Sequence, residues 1–151
     1  MEPTTTTGTE RKVLADLVLR PDAAEVSRSR HVVGAVLRRS GCEDVLDDTE
    51  LIVSELVANA VEFAEHEVRV TVARVDGHLR VEVHDDGRGD PEVAHPPPLS
   101  EAGRGLAMVQ TLATEWGVET DPSGGKTVWT ELRRSADGQG TSAVSPTPRK
   151  Q

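Results

Sequence analysis

A run of alternating valines, broken by one two-residue turn, does most to constrain what this chain can fold into. Val68, Val70 and Val72 alternate with polar neighbours, Asp76-Gly77 follows, and Leu79, Val81 and Val83 alternate again. Asp-Gly between two period-two runs signals a β-hairpin, because both residues accept positive φ. The pair has one apolar face, and that face needs a second layer to cover it. Helical patterns stand upstream: Ala23 to Arg39, stopping before Gly41, and a longer run from Glu43 or Asp47 to about Ala64 with acidic residues in its opening turns. Val13 to Leu19 reads as a strand, and Lys126 to Leu132 as a last strand after Gly124-Gly125. A helix is predicted from about Arg104 to Trp116, with Leu106, Val109, Leu112, Ala113 and Trp116 on one side. The expected fold class is α+β, a two-layer sandwich of a mixed, mostly antiparallel sheet with helices on one face. From Asp90 to Ala102 no period exists, only small residues, Glu and the run Pro96-Pro97-Pro98, and an unpatterned stretch of this length suits a functional lid.

A chain of 151 residues with 36% hydrophobic content can bury one real core. Residues 1–11 and 135–151 are polar and rich in Gly, Ser, Thr and Pro, so both are expected to be disordered tails around a domain at 12–134. Aromatic residues are only 2% and the net charge is -9, which argues against nucleic acid as a partner, since backbone phosphates need a positive field and single strands need stacking platforms. Cys42 is the single cysteine, so no internal disulfide can form. The five histidines, His31, His66, His78, His84 and His95, lack paired metal-ligand spacing. No apolar run approaches the ~20 residues of a membrane span, and Met1 to Gly8 lacks a basic-then-apolar signal, so a cytoplasmic protein is expected.

Three segments could carry chemistry. In the longer helix, Glu55 and Asn59 stand four apart on one face. At about 100° per residue, Ile52, Leu56, Asn59 and Phe63 share a narrow arc with Glu55 at its margin, and Ser54, Ala58, Glu62 and Glu65 take the solvent side. The acid and the amide thus border the core, where they either bond a neighbouring loop or face Mg²⁺ and a triphosphate, with Asn59 as a hard metal ligand. In the strand Leu79 to Asp85, alternation sends Asp85, not Asp86, to the buried side. A carboxylate there can accept the amino group of adenine and select against guanine, or it can simply end the strand at an Asp-Gly turn. Gly87 and Gly89 would allow positive φ and close approach to a ring. Finally, Gly103-Arg104-Gly105-Leu106 opens a helix whose free amides suit phosphate oxygens, and Arg104 and Lys126 are candidate phosphate cations.

Taken in order, these segments resemble the GHKL ATPases (gyrase, Hsp90, histidine kinase and MutL), and within them the small anti-sigma factor serine/threonine kinases of bacteria. Glu55-Leu56-Val57-Ala58-Asn59-Ala60 is similar to the N box, Asp85-Asp86-Gly87-Arg88-Gly89 to the Asp-x-Gly-x-Gly box, Gly103-Arg104-Gly105-Leu106 to the second glycine box, and Gly125-Lys126-Thr127-Val128 to the closing Gly-x-Thr box. The resemblance implies a Bergerat-type fold with ATP and Mg²⁺ as cofactors. It implies that Asn59 ligates Mg²⁺, that Asp85 binds adenine, that Gly87, Gly89, Gly103, Arg104, Gly105, Leu106 and Thr127 line the nucleotide, and that Glu55 is the general base. It implies a homodimer whose partners are a sigma factor and an antagonist protein. Where the family often has a basic residue and a histidine after the N box, this chain has Glu62 and Phe63.

Two functions follow from that resemblance. One is a protein kinase in which Glu55 deprotonates an acceptor serine. The other is a nucleotide-gated binding module that sequesters a regulator with little or no transfer. Retention of Glu55 favours the first, and the missing basic-histidine pair keeps the second open.

Overall fold

A computed structural model describes residues 10–87 and 107–134. Five strands form a single sheet: β1 (Arg11–Leu19), β2 (Val68–Val75), β3 (His78–Asp85), β4 (Glu115–Thr120) and β5 (Lys126–Arg133). Their spatial order is β1-β2-β3-β5-β4, and every neighbouring pair is antiparallel, so β3 is central. Two helices, α1 (Ala24–Arg39) and α2 (Leu46–Phe63), form the second layer, with a 3-10 turn at Glu43–Val45 between them. This is the expected α+β architecture, with an antiparallel rather than a mixed sheet among the described residues.

Local chemistry explains these elements. Asp76 and Gly77 have φ of 49° and 85°, the two positive values of a type I′ turn, and Val75 pairs directly with His78. Helix α1 stops at Gly41, whose φ is 72°. The Cys42 amide there donates to the Leu37 carbonyl (2.9 Å) and the Gly41 amide to that of Arg38 (3.3 Å), which caps the last turn in a Schellman arrangement.

The core lies between the layers. Val68, Val70, Val72, Leu79, Val81 and Val83 project from the sheet to meet Ile52, Val53, Leu56, Val57 and Ala60 of α2, with Val33 and Leu37 of α1 beyond, all buried. At about 25 cal/mol per Å², burying these rows is the main force holding the layers together.

The sequence places the third helix incorrectly. Helical structure covers residues 107–112, and Val109 and Ala113 are buried as expected, but Trp116 belongs to β4. The Thr114 amide donates to the Glu131 carbonyl at 2.7 Å, which turns the chain into pairing with β5. Without β4, the ladder groups of β5 would lie open as a sheet edge, and that tertiary demand outweighs the helical spacing of Leu112, Ala113 and Trp116.

Candidate functional site

The site is built on the inner end of β3 and the facing end of α2. Alternation along β3 gives Leu79, Val81, Val83 and Asp85 to the inner face, and Asp85 is only 3% exposed. A carboxylate at that depth requires donors. It has two: the Gly87 amide donates to Oδ1 (2.9 Å) and the Lys126 ammonium to Oδ2 (2.7 Å). Lys126 arrives there because the β3–β5 register sets it directly opposite Asp85. Its ammonium also lies 5.1 Å from the centroid of the Phe63 ring, at the last residue of α2.

Glycine 87 is required, though not by the backbone conformation the sequence suggested. Its φ lies outside the left-handed region; instead, a Cβ at that position would collide with the carbonyl oxygen of Phe63. The strand end and the helix end are therefore packed backbone to backbone, with no room for a side chain between them.

Asp86, the neighbouring carboxylate, does different work. Its Oδ1 accepts the amides of Glu65 (2.9 Å), His66 (3.0 Å) and Glu67 (3.2 Å), three of the four residues that lead from α2 into β2. Partial burial pushes its pKa up, but the amides of His66, Glu67 and Glu65 outweigh this and hold it at about 2. Asp86 thus clamps the end of α2 to the end of β3. Sequence reasoning passed over this role; the only hint was a second acid beside an inward-pointing one.

Glu55, Asn59 and Phe63 form a row along α2 at steps of four residues, each step about 6 Å along the axis. Phe63 stands at the Asp85 end, Asn59 about one turn further, and Glu55 about two. Glu55 and Asn59 are half-buried, and neither has a side-chain hydrogen bond to another described residue. Hard oxygen donors with open valences, set at successive distances from a buried carboxylate, fit a ligand that is flat and polar at one end and anionic with a hydrated cation at the other. Ala58 and Glu62 face solvent as expected, while Ser54 departs from its expected place: its Oγ is shielded and unpartnered. Phe63 is 42% exposed at the helix end instead of lying in the core arc.

In the closing box, Lys126 and Thr127 face opposite sides of the sheet. Thr127 pairs with His84 on the outer face of the sheet, where His84 Nε2 lies 3.0 Å from Asp121 Oδ2. Because side chains alternate, the inner position belongs to Lys126, which sits on Asp85. Thr127 is therefore not brought together with Asp85. Gly125 closes the same corner, since a Cβ there would stand 2.6 Å from the Asp85 carbonyl oxygen. Arg88, Gly89, the stretch 90–102 expected as a lid, and Gly103, Arg104, Gly105 and Leu106 lie outside the described residues. No helix among the described residues is long and apolar enough to cross a membrane.

A central strand ending in an inward carboxylate, faced by a helix that presents an acid and an amide one turn apart, is the arrangement expected of an ATP-binding sandwich. Residues 19–131 match the model of the histidine kinase-like ATPase domain, and the chain belongs to that family. Among solved structures it is similar to the RsbU and RsbW domains of Rv1364c from Mycobacterium tuberculosis, with 25% identity and a TM-score of 0.59. That match covers 80% of this chain and 32% of the other, so the present chain spans about a third of it. No curated protein sequence matches.

Proposed function

We propose that this protein is an ATP-dependent serine/threonine protein kinase that phosphorylates an antagonist protein and thereby controls a sigma factor. The observation that carries the reading is Asp85, a carboxylate 3% exposed at the inner end of the central strand, in line with the half-buried Asn59 and Glu55. Likeness to a structure containing an RsbW domain supports the partner class.

In this reading Asp85 accepts the 6-amino group of adenine and fixes the base, while Asn59 holds Mg²⁺ through its amide oxygen. The metal supplies charge neutralisation on the phosphates. Glu55 accepts the proton of the acceptor serine hydroxyl as its oxygen bonds to the γ-phosphorus. The bond to the β-γ bridging oxygen breaks, and ADP leaves with that electron pair. The protein would act as a homodimer. A second reading, a nucleotide-gated binding module with little transfer, is favoured by the exposed negative charge of Glu62 next to Phe63, in place of the basic-histidine pair.

Calorimetric titration of ATP with and without Mg²⁺ tests the pocket. Metal-dependent binding by the wild type that Asp85→Asn loses is the expected result, and a folded wild type that binds nothing would overturn it. Glu55→Gln should keep binding and lose transfer of labelled phosphate to the antagonist's serine; persistent transfer would remove Glu55 as the base.

A further inference from the structure

The Lys126–Asp85 pair changes what the base end of the cleft can recognise. A lone carboxylate offers acceptors only, so it reads the amino group of adenine and repels the 6-oxo group of guanine. Here an ammonium stands 2.7 Å from that carboxylate, 27% exposed on a pair partner that is 4% exposed, and it is steadied from a second side by the Phe63 ring at 5.1 Å. A lysine ammonium has three donors, and Asp85 takes one, leaving two for a ligand. Asp85 in turn keeps acceptor capacity, because a carboxylate has about four lone-pair sites and the structure fills two of them, with Gly87 and Lys126.

The cleft therefore presents an acceptor and a donor side by side. Adenine shows the complementary couple, an amino donor at C6 next to the N1 acceptor. Guanine shows the reverse couple, the O6 acceptor next to the N1–H donor, and meets the same two protein groups with their partners exchanged. We propose that Lys126 is a base-reading residue of this site and that it admits GTP as well as ATP. This rests on the reading of the cleft as a nucleotide site. Lysine suits the task because its four-carbon stem lets the ammonium shift between N1 and O6 while staying on Asp85, a freedom that a planar guanidinium lacks.

The test is calorimetric titration of the magnesium complexes of ATP and GTP into the full-length wild type and into Lys126→Met and Lys126→Gln, with folding of each variant checked by thermal unfolding. The wild type should bind GTP within about tenfold of ATP, and Lys126→Met should lower GTP affinity at least about tenfold more than ATP affinity. Lys126→Gln, which keeps a donor without the charge, should stay close to the wild-type ratio. Wild-type discrimination against GTP of more than about a hundredfold would overturn the proposal whether or not the variants fold. So would an unchanged ratio in Lys126→Met, or tighter ATP binding by it, which would make Lys126 an internal competitor for Asp85. Binding of ATP with exclusion of GTP defeats the base-reading role alone; a folded wild type that binds neither defeats the nucleotide site as well.

Discussion

The two faces of the sheet are made by the same five strands and handle charge in opposite ways. On the outer face Arg80 bonds Glu82 (2.8 Å) and Glu131 (3.0 Å) and lies 4.4 Å over the Trp129 ring, Arg11 reaches Glu82, and Arg69 pairs with Asp16. Burial lowers the pKa of the Arg80 guanidinium, but its bonds to Glu82 and Glu131 outweigh that and raise it. On the inner face one carboxylate and one ammonium meet at the end of rows that are mostly aliphatic. Many shared, solvated pairs make any one of them dispensable, whereas a single shielded pair leaves its partner stranded when it is broken. The lesson is that charge has little leverage on the outer face and a great deal on the inner one.

Adjacent residues can put this contrast to the test. Leu79 is fully buried on the inner face. Leu79→Ala should cost about 2 to 5 kcal/mol in urea unfolding, the lost transfer energy plus that of a cavity. A cost below about 1 kcal/mol would mean that the inner row is loosely packed and does not shield the pair at its end.

An intermediate effect is expected at the seam between the faces, where Asp86 holds the end of α2. Its folded pKa of about 2 lies below the ordinary 3.8, so its contribution is complete above pH 3.8 and is lost as pH falls towards 2. Asp86→Asn should destabilise the protein by about 1 to 2 kcal/mol at pH 7, allowing for a side chain that is 29% exposed. The gap between mutant and wild type should close between pH 4 and pH 2; a gap that persists at pH 2 would assign the effect to shape rather than charge.

The smallest change belongs to the open outer edge. Arg69→Ala removes an exposed pair with Asp16, whose side chains are 53% and 43% exposed. Its unfolding midpoint should match the wild type within experimental scatter. A shift comparable to that of Leu79→Ala would show that outer-face pairs act as a network.

Period and turn chemistry made much of this fold legible. The type I′ turn at Asp76-Gly77, the stop at Gly41 and the inward direction of Asp85 all follow from local rules that tertiary structure had no reason to override. Strand β4 was hidden because Trp116 satisfies a helical spacing as well as a strand, and only the neighbouring β5 decides between them. The closing box was hidden by parity. A motif names Thr127, but one residue of register decides whether Thr127 or Lys126 faces Asp85, and register is a property of paired strands rather than of either strand alone. The role of Gly87 was invisible for the same reason, since it depends on where the carbonyl of Phe63 comes to rest.

The tryptophans Trp116 and Trp129 have a use in optical measurement. They are the chain's only two tryptophans, and it has no tyrosine, so its near-ultraviolet emission comes from them. Trp116 pairs with Thr130 and so belongs to the inner face of the sheet. Trp129 lies on the opposite side, under Arg80, where a Cβ on Gly117 would press against its ring at 2.7 Å. Each face of the sheet thus carries its own chromophore. Replacing Trp129 with Phe leaves a single emitter on the inner face, and the quantum yield and emission maximum of that emitter would report on the packing of that face without any added label.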